Sequence, residues 1–205
     1  MSDPREARLP RMGVGTQRAT FLELFLDLVF VFALTRVTQR LVTDFTTEQR
    51  ILVSEVGQTL LLFLALWLIW ATNAYLTSRL DPETPVVVFV MVLTMFGSMV
   101  MAIAVPQGFS ERALIFAGAY VAVQLGRTLA LLVVAGGGQD PENPAALPRV
   151  LIWTGLTAVP WLVGGSAGQG PVRGVLWSLA LGLDYAGLTL GWPVPRLTDL
   201  MIDDR

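Results

Sequence analysis

Six mostly apolar stretches, each close to the length of a bilayer-spanning helix, divide this chain. They predict helices over about 20–41, 52–78, 86–105, 112–135, 148–164 and 172–191. The breaks between them carry turn chemistry. Thr20-x-x-Glu23 has the spacing of a capping box at the start of the first helix, which runs into Arg36 and Arg40. Trp67, Trp70 and Tyr75 close the second helix as an interfacial belt, and Asp81-Pro-Glu-Thr-Pro85 turns the chain. The third helix carries no charge and stops at Pro106, while the fourth ends in Gly136-Gly-Gly138. A similar loop, Asp140-Pro-Glu-Asn-Pro144, precedes the fifth, where Pro160 predicts a kink. The expected fold class is all-α: a polytopic membrane helix bundle of about six transmembrane helices over 20–192. An Arg-rich leader (1–19) and a short tail (193–205) flank it.

Composition supports a membrane location. The 205 residues are 54% hydrophobic and only 15% charged, against roughly 25% charged in soluble domains. Net charge is −2, so no basic surface points to nucleic acid. The chain has no Cys and no His, which removes thiolate chemistry, sulfur and imidazole ligation of metals, and the usual proton switch near neutral pH. No cofactor or metal is expected, and any proton chemistry must run through carboxylates. The polar leader, with Arg5, Arg8, Arg11 and Arg18, lacks the apolar core and cleavage site of a signal peptide. It therefore predicts an uncleaved first helix with the N-terminus, and after six spans the C-terminus, in the cytoplasm.

Charges inside apolar runs are the candidate chemistry. An acid near the bilayer centre costs about 3 kcal/mol by insertion scales, so it faces a partner, water or a substrate. Glu23 and Asp27 lie four residues apart, on one face of the first helix. At ~1.5 Å per residue, Asp27, Asn73, Arg127 and Asp184 all fall in a layer roughly 8–12 Å inside the same membrane face. Arg127 is expected to pair with Asp27 or Asp184, leaving a carboxylate to be protonated, to be hydrogen-bonded by Asn73 or Gln124, or to meet water or a cation.

Thr20, Glu23, Thr35 and Thr38 fall within about 80° of Asp27 at the helical period, a polar stripe expected to face the bundle interior. Arg36 and Arg40 are expected to snorkel to the outer interface. Gly118, Ala122, Gly126 and Ala130 form one small-residue ridge, and Gly174, Ser178, Gly182 and Ala186 another. Both predict packing seams that bring Arg127 toward Asp184. Met91, Met95 and Met99 form a stripe of lipid-facing or packing residues.

The run Glu23-Leu-Phe-Leu-Asp27-Leu-Val-Phe-Val-Phe-Ala33 resembles the hallmark ELFFDLVFVFA of the bacterial low temperature requirement A (LtrA) family. Arg79-x-Asp81 and Asp184-Tyr185-Ala186-Gly187 are similar to that family too, so the resemblance covers nearly the whole chain. It implies a multi-pass membrane protein of a family named for a cold-growth phenotype and without an established biochemical activity. Members often carry Gln and His late in the first helix, where this chain has Arg36 and Gln39. They usually continue into a second membrane half. The resemblance thus implies either a half-length member that forms a homodimer or a truncated product.

Two functions stay open on the residues. One is a cation- or proton-coupled transporter or channel of the bacterial cytoplasmic membrane, using Asp27 with Glu23, Asp184, Arg127 and Asn73. The other is a non-transporting structural or accessory membrane protein, in which the charged layer holds the helices in register. An enzyme is not expected: the nucleophile or base would have to be a carboxylate, and a paired-acid mechanism needs Asp27 and Asp184 within hydrogen-bond reach.

Overall fold

The computed structural model describes residues 21–47, 52–78, 84–136, 146–167 and 170–189. The leader, the tail, Thr20 of the capping box, Arg79, Asp81 and the second Asp-Pro-Glu loop lie outside the described residues. The described chain is all helical: α1 Phe21–Thr47, α2 Leu52–Thr77, α3 Pro85–Ala104, α4 Ala113–Gly136, α5 Ala146–Ser166 and α6 Pro171–Thr189. A 3-10 turn over Val105–Gln107 follows α3. Five helices end close to the predicted positions. The first overshoots, reaching Thr47, because Leu41–Thr47 contains no Gly or Pro to stop it. Pro85 opens α3, where a missing N–H costs nothing, and α5 continues through Pro160 without a break.

Among the described residues, three helices are long and apolar enough to cross a membrane: Ser54–Thr77, Pro85–Gln107 and Ala113–Ala130. Glu23, Asp27, Arg36 and Arg40 bring charge into α1, and Arg173 and Asp184 into α6. The helices α1, α3, α4, α5 and α6 pack as successive neighbours, and α2 lies against α1, α3, α4 and α6. Leu62, Leu66 and Ile69 of α2, Met91 and Met101 of α3 and Phe116 of α4 are fully buried.

Glycine decides where backbones come closest. A Cβ at Gly97 would lie 2.1 Å from Cγ2 of Val123, and one at Gly126 would lie 2.3 Å from Cδ2 of Leu93, so α3 and α4 interlock there. Gly165 performs the same service for α5 against Leu114 and Ala117 of α4. The expected ridges are only partly seams. Gly118, Gly174 and Gly182 have nothing within 4 Å of a built Cβ, and Ser178 and Gly182 are exposed. The α6 ridge faces outward because Arg173, Trp177, Ala180 and Leu181 occupy the buried side.

One end of the bundle, where α1, α3 and α5 finish, is held by arginines. Arg40 donates to Thr59 Oγ1 (3.2 Å), Gln58 Oε1 (3.2 Å) and the Val105 carbonyl (2.8 Å). Arg112 donates to the Ile103 carbonyl (3.0 Å). Arg173, 7% exposed, donates to the carbonyls of Gly164 (2.9 Å) and Phe109. Helix C-terminal carbonyls run short of intrahelical donors, and guanidinium groups supply them at Ile103 and Gly164 while complementing the helix dipoles; at Val105 the guanidinium adds to the Gly108 N–H (3.1 Å). Arg40 therefore turns inward rather than snorkelling outward, because these acceptors lie within its reach. Arg36 remains on its own helix, bonded to Gln39 (3.3 Å) and lying 5.0 Å from the Phe32 ring centre.

Candidate functional site

The sequence-predicted charges separate into two places. In the interior, α4 presents Tyr120, Gln124 and Arg127 at spacings of four and three, on one helical face. The Tyr120 hydroxyl donates to Asp184 Oδ2 of α6 (2.8 Å), and the Gln124 amide donates to the Tyr120 oxygen (3.0 Å). Arg127 donates to Gln124 Oε1 and to Thr72 Oγ1 of α2. Thr72 in turn donates to the Leu68 carbonyl (2.7 Å).

The result is a hydrogen-bonded chain, Thr72–Arg127–Gln124–Tyr120–Asp184, that ties α2, α4 and α6. Seven residues, or about 10 Å of helix, separate Tyr120 from Arg127, so the expected flat layer is tilted and the pair is bridged rather than in direct contact. Tyr120 and Gln124 are buried, and the space beside them, bounded by Thr154, Thr157 and Trp161, is too narrow for a water molecule. The cluster is dry. Buried polar groups in low dielectric are held strongly when satisfied, and such a chain fixes the rotation and register of three helices.

Aromatic rings back this chain. Trp161 and Trp177 are almost fully buried, with centres 5.0 Å apart, and Tyr120 lies 4.4 Å from Trp161. Phe109 continues the column 4.9 Å from Trp177 toward the arginine-held end. The Trp177 indole donates to the Trp161 carbonyl (3.0 Å).

The second place is the perimeter. Asp27 is exposed on the outside of the bundle, and the Trp70 indole of α2 donates to its Oδ1 (3.2 Å). Leu26, Phe30, Ala33 and Val37 form the buried side of α1. The polar stripe does not point inward as expected: Thr35 and Thr38 are exposed and satisfy their hydroxyls on the carbonyls of Val31 (2.9 Å) and Leu34 (3.0 Å). Glu23, in the first turn of α1, is half-buried. Asp27 thus joins neither Arg127 nor Asp184, and the two acids bond to different helices.

Asn73 differs again. It is 1% exposed, and neither atom of its carboxamide has a hydrogen-bond partner. It does not hydrogen-bond either acid. The residues missed from the sequence are Tyr120, Thr72 and Trp70. Tyr120 was detectable, since Tyr120, Gln124 and Arg127 make a polar stripe on an apolar helix. Trp70 was obscured by its fit to an interfacial belt. Among the described residues no group of acids is placed to hold a metal ion.

The sequence model of the bacterial low temperature requirement A protein (LtrA) family matches residues 18–200. An uncharacterized protein of Rhizobium meliloti (strain 1021) is 35% identical over 180 residues, covering 88% of this chain and 42% of that protein. The chain therefore spans less than half the length of this relative. No solved structure matches the chain.

Proposed function

The chain belongs to the bacterial low temperature requirement A (LtrA) family, and from that premise we propose a non-enzymatic multi-pass protein of the bacterial cytoplasmic membrane that passes a small cation or proton along the carboxylate-bearing face of α1. In this proposal all six helices span, and both termini are cytoplasmic. The observation that carries it is Asp27, a carboxylate within a membrane helix that lies on the perimeter of the bundle with the Trp70 indole against it. A carboxylate turned to lipid is expensive, whereas one turned to water or a cation is not. Glu23, one turn along, extends the same acidic face. A second copy placed against α1 encloses that face and removes it from lipid.

The interior chain has a different role in this proposal. Asp184, Tyr120, Gln124 and Arg127 lock the helices that carry α1. The test is flux of K+, Na+ or protons in liposomes at a verified protein density. Flux abolished by Asp27→Asn in a folded variant supports the reading. No flux of any of these ions through folded protein overturns it.

The second reading is a non-transporting accessory membrane protein tied to growth in the cold. Its specific support is the interior hydrogen-bonded chain, which stabilises a defined helix register without requiring a permeating species. Under that reading α1 docks a partner, and Asp27→Asn abolishes the partner contact with no change in ion permeability.

A further inference from the structure

The helices α2 and α6 meet at one level and share a groove at another. The Tyr185 hydroxyl of α6 donates to the Leu64 carbonyl of α2 (3.1 Å). Toward the arginine-held end, residues of both helices line an open groove of about 450 Å³. Leu61, Leu64 and Phe109 give it an apolar part, and Ser54 and Gln58 a polar end nearer the start of α2. Small residues keep it open: Gly57 on one side and Gly174 and Ser178 on the other. A Cβ at Gly57 or Gly174 would meet nothing within 4 Å.

We propose that this groove holds one acyl chain of a phospholipid from the leaflet on the arginine-held side, with its glycerol ester at Ser54 and Gln58. Dimensions choose this occupant. From Ser54 to Leu64 is ten residues, about 15 Å of helix, which matches the hydrocarbon half-thickness of a ~30 Å bilayer core. A 15 Å length of helix of ~10 Å diameter needs more than about 1,000 Å³, so a transmembrane helix of a second copy is too large. An extended hydrocarbon chain, at carbon contact distances of about 4 Å, needs roughly 300 Å³ and fits.

The polarity gradient agrees with the dimensions. Gln58 donates to Ser54 Oγ (3.4 Å) and accepts from Arg40 (3.2 Å), so the polar end combines hydrogen-bonding groups with a nearby guanidinium suited to an ester and a phosphate. Phe109, the aromatic part of the wall, is fixed from behind. Arg173 binds its carbonyl, the Trp177 ring packs 4.9 Å away, and the Arg40 guanidinium lies 5.9 Å from its ring centre. A held wall gives the groove a shape that persists without its lipid.

The experiment uses the full chain in liposomes containing phosphatidylglycerol with a photoactivatable group on its acyl chain, followed by peptide mapping. Adducts are expected on 54–64 and 170–178 at least fivefold above those on the exposed α3 face at Phe89 and Phe96. Gly174→Leu and Gly57→Leu should each reduce groove adducts at least fivefold. Gly118→Leu, also in open space but outside the groove, should leave them unchanged. Should either groove variant fail to fold, Ser178→Leu at an exposed position provides the same obstruction. Even labelling of all exposed helix faces, or adducts unaffected by the filled groove, overturns the proposal. So does an efficient disulfide between two copies of Gly174→Cys in this cysteine-free chain, which would place protein there.

Discussion

Asp184 and Asp27 are both acids in largely apolar helices, yet their surroundings are opposite. Asp184 receives the Tyr120 hydroxyl, and three further side chains extend the connection to Arg127 and Thr72. Asp27 sits outside the bundle and receives the Trp70 indole. The interior acid is compensated within the fold. The perimeter acid is met by an indole at the edge of the bundle. Carboxylates in a membrane protein therefore cannot be assigned a role from their depth alone: the side of the helix matters as much.

The contrast is broken most forcefully at Arg127. Arg127→Leu removes two charge-assisted hydrogen bonds, to Gln124 and to Thr72, each worth about 1.5–3 kcal/mol. The expected result is a large fall in folded yield and unfolding temperature in detergent, partly recovered by adding Asp184→Leu. If the single variant unfolds like the parent, the chain is not a structural lock. Tyr120→Phe is expected to be milder, about 1.5–3 kcal/mol, since it removes a hydrogen bond to a charged group and keeps the ring. Equal unfolding temperatures for the variant and the parent would show that the hydroxyl is dispensable.

Packing supplies a third test. Gly97→Val should lower stability by about 1–3 kcal/mol through overpacking against Val123, with Val123→Ala restoring it. Asn73→Leu should be neutral or raise the unfolding temperature slightly, because it removes a buried carboxamide that has no partner. A marked loss would mean that Asn73 is engaged by something outside the chain. Asp27→Asn sharpens the comparison most finely. It should leave the unfolding temperature unchanged while abolishing whatever flux the parent supports, the reverse of Arg127→Leu.

The helices were legible because apolar runs and Pro or Gly breaks mark them independently of packing. The orientation of α1 was not. A soluble helix shows its buried side by hydrophobic periodicity, but in lipid both sides are apolar and the signal weakens. Glu23, Asp27, Thr35 and Thr38 suggested an inward stripe, while Leu26, Phe30, Ala33 and Val37 hold that side. The threonines impose no opposing requirement, because each satisfies its hydroxyl on its own helix. The pairing of Arg127 was half legible: its depth pointed toward Asp184, but the bridge through Gln124 and Tyr120 depends on rotamers that spacing does not specify. The α6 ridge of Gly174, Ser178 and Gly182 resembled a seam, yet the large Trp177 decides which side of that helix turns inward.

The arginine clasp carries a consequence for biogenesis. Arg40 waits for the carbonyls of the turn after α3, and that turn waits for Arg173 at the beginning of the final described helix. A ribosome releases these partners in order, so the end near Phe109 closes only when α6 has been made. Chains stalled before Pro171 should accordingly present the turn around Phe109 to added protease, and chains stalled after Thr189 should shield it.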